Sequence, residues 1–499
     1  MFKSKITQLN GKAFFLFIFF ISLYLYLFKL PFPGVDDLFF KQAGVSLLRG
    51  SGFCAPGLIG FAPGVEKHFL WYPPLYPFIY GVWFFLFGFS LSASLFLSYL
   101  ICGFIAFKQC QLFEVIAKRK APLYIYGLIF FSWTIALKET YRPDPLLTLF
   151  VLALLKLLIN ELPKGLTLKV NISIILLIGL SLATSFALGV LSMVYIYFVF
   201  VSLRGFSIRT TNSFISLFAF GFVFCILIWW IPGHSAPYLF KSQVIIPYSR
   251  LSPAINLPFL RFAVIKHFKF GSALFYLPLL SSLIYATIKQ ITLETDSIKK
   301  SSLSWQFLGI VIVWIFLIIM IPYKYTYFQV FYLIFISVVV FQIPAEFFKR
   351  KNVKIILYAC LFISYLPFLR TTLLIPITWK REDTYEYNKK LIKAIVPVGS
   401  RVVTDPRFWY VFDKGYEVFD QDPFNSDIAG PWDYVLLASG GSGKPDTPLV
   451  NLGYSGLYSF KQYFVKQLGT MSNQPNKLFG IFPISKSRWC YRFELYRRR

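Results

Sequence analysis

The chain has 499 residues, of which 57% are hydrophobic and only 14% charged, with a mean hydropathy of +0.63. That balance excludes an ordinary soluble protein, and repeated apolar runs of about 16 to 22 residues specify an α-helical polytopic membrane protein rather than a barrel of short alternating strands. A net charge of +28 invites a nucleic-acid reading, but Lys and Arg fall in short clusters between apolar runs. Orientation and anionic lipid headgroups account for them there, so membrane lipids are expected as partners and nucleic acid is not.

In chain order, the basic stretch from Met1 to Lys12 precedes an apolar run from Ala13 to Leu30 that lacks a small-residue cleavage site. It reads as a retained first helix, not a removed signal peptide. Lys and Arg also cluster at Lys108 with Lys118 to Lys120, at Lys164/Lys169, Arg204/Arg209, Lys289 with Lys299/Lys300, and Lys349 to Lys351 with Lys354. Placing these in the cytoplasm gives eleven spans, near 13–30, 91–107, 121–138, 145–160, 170–185, 187–203, 212–231, 271–288, 305–321, 325–342 and 353–369. The N-terminus is then cytoplasmic and the C-terminus extracytoplasmic, in a plasma (inner) membrane. Residues 75–89 are apolar but about 15 residues long, short of the ~20 a span needs. If they crossed, every later loop would invert, so they read as a helix lying in the outer interface, where Trp and Tyr are favoured. The outer face collects loops 31–90, 139–144 and 232–270, a tight turn near 322–324, and the chain after about 370.

Composition changes after Trp379: twelve of the 22 acids lie beyond residue 380. Residues 1–379 form the expected membrane domain, and 380–499 a small extracytoplasmic α/β domain. Within it Asp383 to Ala394 predicts an amphipathic helix, Arg401–Thr404 and Tyr434–Ala438 short buried strands, and Gly440 to Lys444 a turn. The basic tail Arg497 to Arg499 could touch headgroups. Cys102, Cys225 and Cys360 fall inside spans as small hydrophobes, and Cys110 on the inner side. Cys54 and Cys490 share the outer side and could pair. No Cys/His spacing suits structural zinc.

Asp36, Asp37, Glu66, Glu139 and Asp144 all fall on the outer side of a chain that otherwise avoids acids. The first outer loop reads FPGVDDLFFKQAGVSLLRGSGF and, further on, HFLWYPPLYPF; the second reads KETYRPDPLLTLF. Asp36 and Asp37 follow Pro33-Gly34, a common helix start, so one of them could be an N-cap. Two acids exceed what a cap requires, which favours chemistry. Asp144, between Pro143 and Pro145, is either the cap of the fourth span or a second acid of the site. With Asp36 and Glu139 it could also hold a divalent cation, the one cofactor contemplated. Arg142 could pair with Asp36 or Asp37, or meet a phosphate. Other cations on the outer side that could meet a phosphate are Lys324 in PYKYTYFQ, Arg370, Arg250 and Arg261; Lys324 is also open to a reading as a snorkelling lysine at a helix end. His68 and His234 stay outside the catalytic set. Trp71, Tyr72 and Tyr76 could line an isoprenoid groove or form an interfacial belt.

An acidic pair after the first helix, an amphipathic stretch, a PPLYP segment and an R-P-D step between the third and fourth spans together resemble the GT-C superfamily of membrane glycosyltransferases. The branch is that of protein O-mannosyltransferases and the aminoarabinose transferases of lipid A. The layout covers roughly residues 13–345, with sharp motifs only in the first two outer loops. The resemblance implies a polyprenyl-phosphate sugar donor, a glycolipid, polysaccharide or protein acceptor, and transfer at the outer face with inversion. Asp36 would be the general base, with Asp37 and Asp144 as further acids of the site. Lys324, where relatives commonly carry a basic residue beside Tyr, would bind the donor phosphate with Arg142 and Arg370. The family often has Asp-Glu where this chain has Asp36-Asp37, which leaves the second acid's role open. Two other readings stay in view: a flippase or transporter of lipid-linked sugar, and a ligase or polymerase using lipid pyrophosphate oligosaccharides.

Overall fold

A computed structural model describes residues 2–58, 62–234, 236–245, 273–320, 329–344, 347, 351–412, 415–420, 432–438, 464–469, 476–478, 482–484 and 490–499. The protein is a polytopic helical membrane protein with a small sheet domain following the last long helix. A helix coincides with each of the eleven expected spans. These are α1 (Phe2–Leu27), α4 (Leu91–Ala117), α5 (Leu123–Lys138), α6 (Asp144–Glu161), α7 (Leu168–Thr184), α8 (Phe186–Arg204), α9 (Ile208–Gly233), α10 (Ala273–Leu293), α11 (Ser297–Met320), α12 (Gln329–Val340) and α13 (Lys351–Phe368). Among the described residues, six helices are long and apolar enough to cross a membrane by length and composition: α4, α6, α8, α9, α11 and α13.

Two helices lie between the first two spans. α2 (Val35–Leu48) carries the acidic pair in its first turn, and α3 (Leu75–Phe87) is the apolar run whose crossing was in question. Thirteen residues rise only about 20 Å, against a hydrocarbon core of ~30 Å. α3 buries Tyr76, Pro77, Tyr80, Gly81 and Phe84 against the protein and leaves Phe85, Leu86 and Phe87 exposed. Its contact with α2 depends on glycine: a Cβ on Gly44 would stand 1.9 Å from the Pro77 carbonyl oxygen, and one on Gly81 would stand 2.8 Å from the Gly44 carbonyl oxygen. Small residues let backbones approach where no side chain fits, so α2 lies directly against α3.

Helix ends follow local chemistry. Ser90 caps α4, its Oγ accepting from the Ala93 N–H at 3.1 Å, and Ser207 caps α9 the same way through Thr210. α4 runs to Ala117, ten residues past the expected 107, and ends with Lys118 in the left-handed region at φ 50°.

In the last part of the chain, strands β1 (Arg401–Thr404), β2 (Glu417–Asp420), β3 (Tyr434–Ala438), β4 (Phe464–Gly469) and β7 (Phe493–Arg498) form one sheet in the order β2-β1-β3-β7-β4. β5 (Asn476–Leu478) and β6 (Phe482–Ile484) pair separately. β1 runs parallel to β2 and β3, with Val402 opposite both Val418 and Tyr434. β3 and β7 are antiparallel, with Leu436 opposite Leu495. The two expected strands have the bounds the sequence suggests. The amphipathic helix, α14, instead spans Tyr385–Ile395, because Asp383 is fully buried in a preceding 3-10 turn, accepting from the Lys380 N–H at 2.8 Å and pairing with Arg492. Cys54 and Cys490 do not form the disulfide considered above. Both are buried outside any disulfide, and Cys54 Sγ donates to the Ser51 carbonyl instead. The 322–324 and Gly440 to Lys444 turns lie outside the described residues.

Candidate active site

The N-cap of α2 is Gly34, with extended backbone and no side-chain cap bond. The carboxylates of Asp36 and Asp37 are therefore not used as caps and point to different partners. Asp36 Oδ2 accepts from Arg142 Nη1 at 2.6 Å, and Arg142 Nε donates to Asp144 Oδ2 at 2.8 Å. Arg142 comes from the tight turn between α5 and α6, closed by the Arg142 N–H on the Glu139 carbonyl at 2.9 Å, and Asp144 is the first residue of α6. One guanidinium thus ties the start of α2 to the turn between α5 and α6. Bidentate use of Arg, with its planar donors, fits two carboxylates that arrive from different elements.

Burial separates the members. The Asp144 side chain is 0% exposed and that of Arg142 6%, whereas Asp36 keeps 23% of its side chain open. Arg142 lies over the Phe40 ring at 5.6 Å. Its burial works against its charge, but Asp144 and Asp36 outweigh that and hold the guanidinium well above its ordinary pKa. Glu139 is buried beside these groups, and its Oε2 has no hydrogen-bond partner among the described residues. Burial, only partly opposed by Arg142, pushes its carboxyl up to about 8, so it is protonated at neutral pH.

Asp37 faces a second, closed cluster. It pairs with Lys41 one turn on, and its Oδ1 accepts from the Tyr410 hydroxyl at 2.8 Å; Tyr410 also bonds Ser94 at 2.9 Å. The Lys41 ammonium lies 4.2 Å from the Tyr80 ring centroid. Burial lowers the Lys41 pKa against the opposing pull of Asp37, and raises the Tyr410 hydroxyl's. Lys41, Ser94 and Tyr410 are the site neighbours that sequence reasoning missed. Lys41 was accessible to it, since Asp37 and Lys41 are spaced i, i+4 on a helix. Tyr410 was not: it sits 373 residues from Asp37 in the 3-10 turn Pro406–Val411 after β1.

The aromatic segment after α2 fastens this arrangement. Tyr72 shares a hydrogen bond with Ser185, at the break between α7 and α8, at 3.1 Å. Tyr76 donates to the Thr140 carbonyl at 3.0 Å, and Phe40 packs on Tyr72 with centroids 4.5 Å apart. Among the described residues an apolar groove lies between α1, α5 and α13. Its volume is about 570 Å³, and Phe17, Leu123 and Phe362 on its walls are exposed.

Of the remaining candidates, those among the described residues do not join these clusters. Arg370 is exposed on the π-helical turn Leu369–Leu374 and has no ion pair to any described residue. Lys324, Arg250 and Arg261 lie outside the described residues. His234 caps the end of α9 on the surface, and the His68 carbonyl accepts from Gln243 Nε2 at 2.8 Å. Glu66 makes no ion pair with a described residue. The three acids considered for a divalent cation do not assemble into such a site: Arg142 already supplies positive charge between Asp36 and Asp144, and the described residues hold no close group of three metal-ligating side chains.

No family model matches the chain, and no curated protein matches it in sequence. Among solved structures it is similar to an Archaeoglobus fulgidus oligosaccharyltransferase in complex with Zn and sulfate. The identity is 11% and the TM-score 0.47, covering 90% of this chain and 71% of that one.

Proposed function

We propose that the protein is a membrane glycosyltransferase that moves a sugar from a polyprenyl-phosphate donor to an acceptor at the extracytoplasmic face. The observation that carries this reading is the Asp36–Arg142–Asp144 cluster: a partly open carboxylate held by a buried arginine that a second, fully buried carboxylate anchors. A sugar on a lipid phosphate already has a good leaving group, so the reaction needs a base for the acceptor and positive charge for the departing phosphate. Asp36 takes the proton of the acceptor hydroxyl or amine as that atom attacks the anomeric carbon. The carbon–oxygen bond to phosphate breaks, its electron pair leaves with the polyprenyl phosphate, and in-line displacement inverts the centre. Arg142 orients Asp36, and Asp144 fixes Arg142. Asp37, closed in by Lys41 and Tyr410, is a positioning residue rather than a second base.

The apolar groove between α1, α5 and α13 supports a lipid-linked donor, since it offers an alkyl or isoprenoid chain a place against the protein. Phosphate binding by Arg370 or Lys324 stays part of the proposal. No step is routed through a metal.

The test is transfer from radiolabelled polyprenyl-phosphate sugars in membranes carrying wild type or Asp36→Asn at matched protein level. Wild type is expected to label an acceptor, and the variant to lose about a hundredfold or more. Equal transfer by both would remove Asp36 as base. No transfer from any monosaccharide donor, with transfer from lipid pyrophosphate oligosaccharides instead, would replace this reading with the ligase or polymerase.

A further inference from the structure

The reaction proposed above needs positive charge at the departing phosphate, and Arg142 is poorly placed to give it. Its guanidinium is buried and already donates to Asp36 and Asp144. The nearest cation before it in the chain is Lys138, in the last turn of α5. A lysine there is commonplace, since a helix C-terminus favours positive charge and a span end lets the side chain reach out of the membrane. Its surroundings set Lys138 apart. Residues 131–137 are all buried, as are Glu139 and Thr140, yet Lys138 between them is exposed. A lysine snorkelling from a lipid-facing helix would have exposed apolar neighbours, such as Phe85, Leu86 and Phe87 on α3. The end of α5 is instead enclosed by protein, and Lys138 meets an opening in that enclosure.

The turn that follows uses its other groups. The Thr140 carbonyl accepts from Tyr76 at 3.0 Å, the Tyr141 ring lies 3.2 Å from where a Cβ on Gly34 would stand, and Arg142 holds Asp36. Lys138, by contrast, makes no hydrogen bond or ion pair with a described residue. It is close to the cluster all the same, since the charges of Arg142, Asp144, Asp36 and Lys138 all act on the buried Glu139 carboxyl. The Arg142 N–H closes a four-residue turn on the Glu139 carbonyl at 2.9 Å, and such turns hold their end Cα atoms within about 7 Å. Glu139 does not neutralise Lys138, because burial keeps its carboxyl protonated at neutral pH. An accessible ammonium with three donors, and no described carboxylate on it, suits a phosphate.

We propose that Lys138 binds the phosphate of the lipid-linked donor, near the carboxylate that takes the acceptor's proton. The donor assignment rests on the proposed transferase activity; the binding of a lipid phosphate does not. The ammonium donates to a non-bridging phosphate oxygen, and its charge favours departure of the polyprenyl phosphate as the bond from the anomeric carbon breaks. The electron pair of that bond stays on the phosphate, and Asp36 holds the acceptor's proton. The apolar groove is on the same helix. Leu123, Tyr126, Gly127 and Phe130 line it, and Lys138 stands about 12 Å beyond Phe130 along the axis. An apolar groove with a cation beyond it matches the order of an isoprenoid chain and its phosphate.

The experiment is equilibrium binding of radiolabelled polyprenyl phosphate to the full chain in nanodiscs of neutral lipid, with polyprenol and inorganic phosphate as comparison ligands. It compares wild type, Lys138→Gln and Lys138→Arg; the side chain is exposed, so neither change disturbs a packed core. Lys138→Gln is expected to weaken polyprenyl phosphate at least about tenfold, and Lys138→Arg to restore most of that, with polyprenol bound equally by all three. Binding of polyprenyl phosphate by Lys138→Gln at the wild-type level overturns the assignment. An equal loss for polyprenol overturns it too, since the side chain would then be structural. Inorganic phosphate bound as tightly as polyprenyl phosphate overturns the lipid source, and so does absence of polyprenyl phosphate binding by wild type. No sugar is transferred in this assay. Lys138-dependent binding beside a failed transfer assay would therefore remove the transferase and keep the phosphate site.

Discussion

Glu139 is the residue whose surroundings make the plainest statement about pH. Its carboxyl is raised from 4.5 to about 8 by burial, with Arg142 opposing. An unfolded chain releases that proton near 4.5 and the folded one holds it to about 8, so between those values the folded state binds more protons. Stability then falls as pH rises through that window, and the loss is complete above the folded value. Glu139→Gln keeps the shape and removes the titration. We expect its melting temperature to fall less than that of wild type across the same range, by a difference worth on the order of a few kcal/mol. Parallel curves for the two proteins would mean that Glu139 is ionised in the fold. The neighbouring acids divide by partner: Asp36 stays partly open on Arg142, whereas Asp37 is enclosed. Two adjacent and identical residues thus differ in what they can do, and the helix turn between them sets the difference.

At the scale of elements, the crossing of α2 and α3 determines where the acidic pair stands. Gly44 has no room for a side chain, so Gly44→Ala must push the two helices apart or distort α2. Overpacking of this kind costs about 1–3 kcal/mol or more. Gly103 in α4 faces open space, with nothing within 4 Å of where a methyl group would stand, so Gly103→Ala serves as the control. Thermal unfolding in detergent should show a lowered midpoint for the first variant and no lowering for the second. Equal midpoints would mean that the α2–α3 contact adjusts freely. The short turn from Glu139 to Asp144 acts in the same way, since its closure brings Arg142 beneath the start of α2.

For the whole molecule, the decisive contact joins the sheet domain to the segment between α1 and α4. Tyr410 reaches Asp37 and Ser94, and Tyr491 donates to the Lys29 carbonyl at the end of α1. Tyr410→Phe keeps the ring but deletes a donor from buried Asp37, at a cost of about 1–3 kcal/mol. We expect limited proteolysis to release the sheet domain faster in this variant; unchanged cleavage would mean that the hydroxyl does not hold the domain in place. Much of this architecture was legible beforehand. Hydropathy placed a helix at each of eleven positions, because the bilayer imposes length and apolarity on every span. The acidic pair and the R-P-D step stood out because charge is costly in so apolar a chain. What the sequence alone determined, then, was the set of helices and the polar residues set apart from them. Which acid stays open, which is closed in, and which aromatic turn from the far end of the chain closes it were decided only by the tertiary structure. Those contacts join residues hundreds of positions apart, and no local periodicity or spacing encodes them.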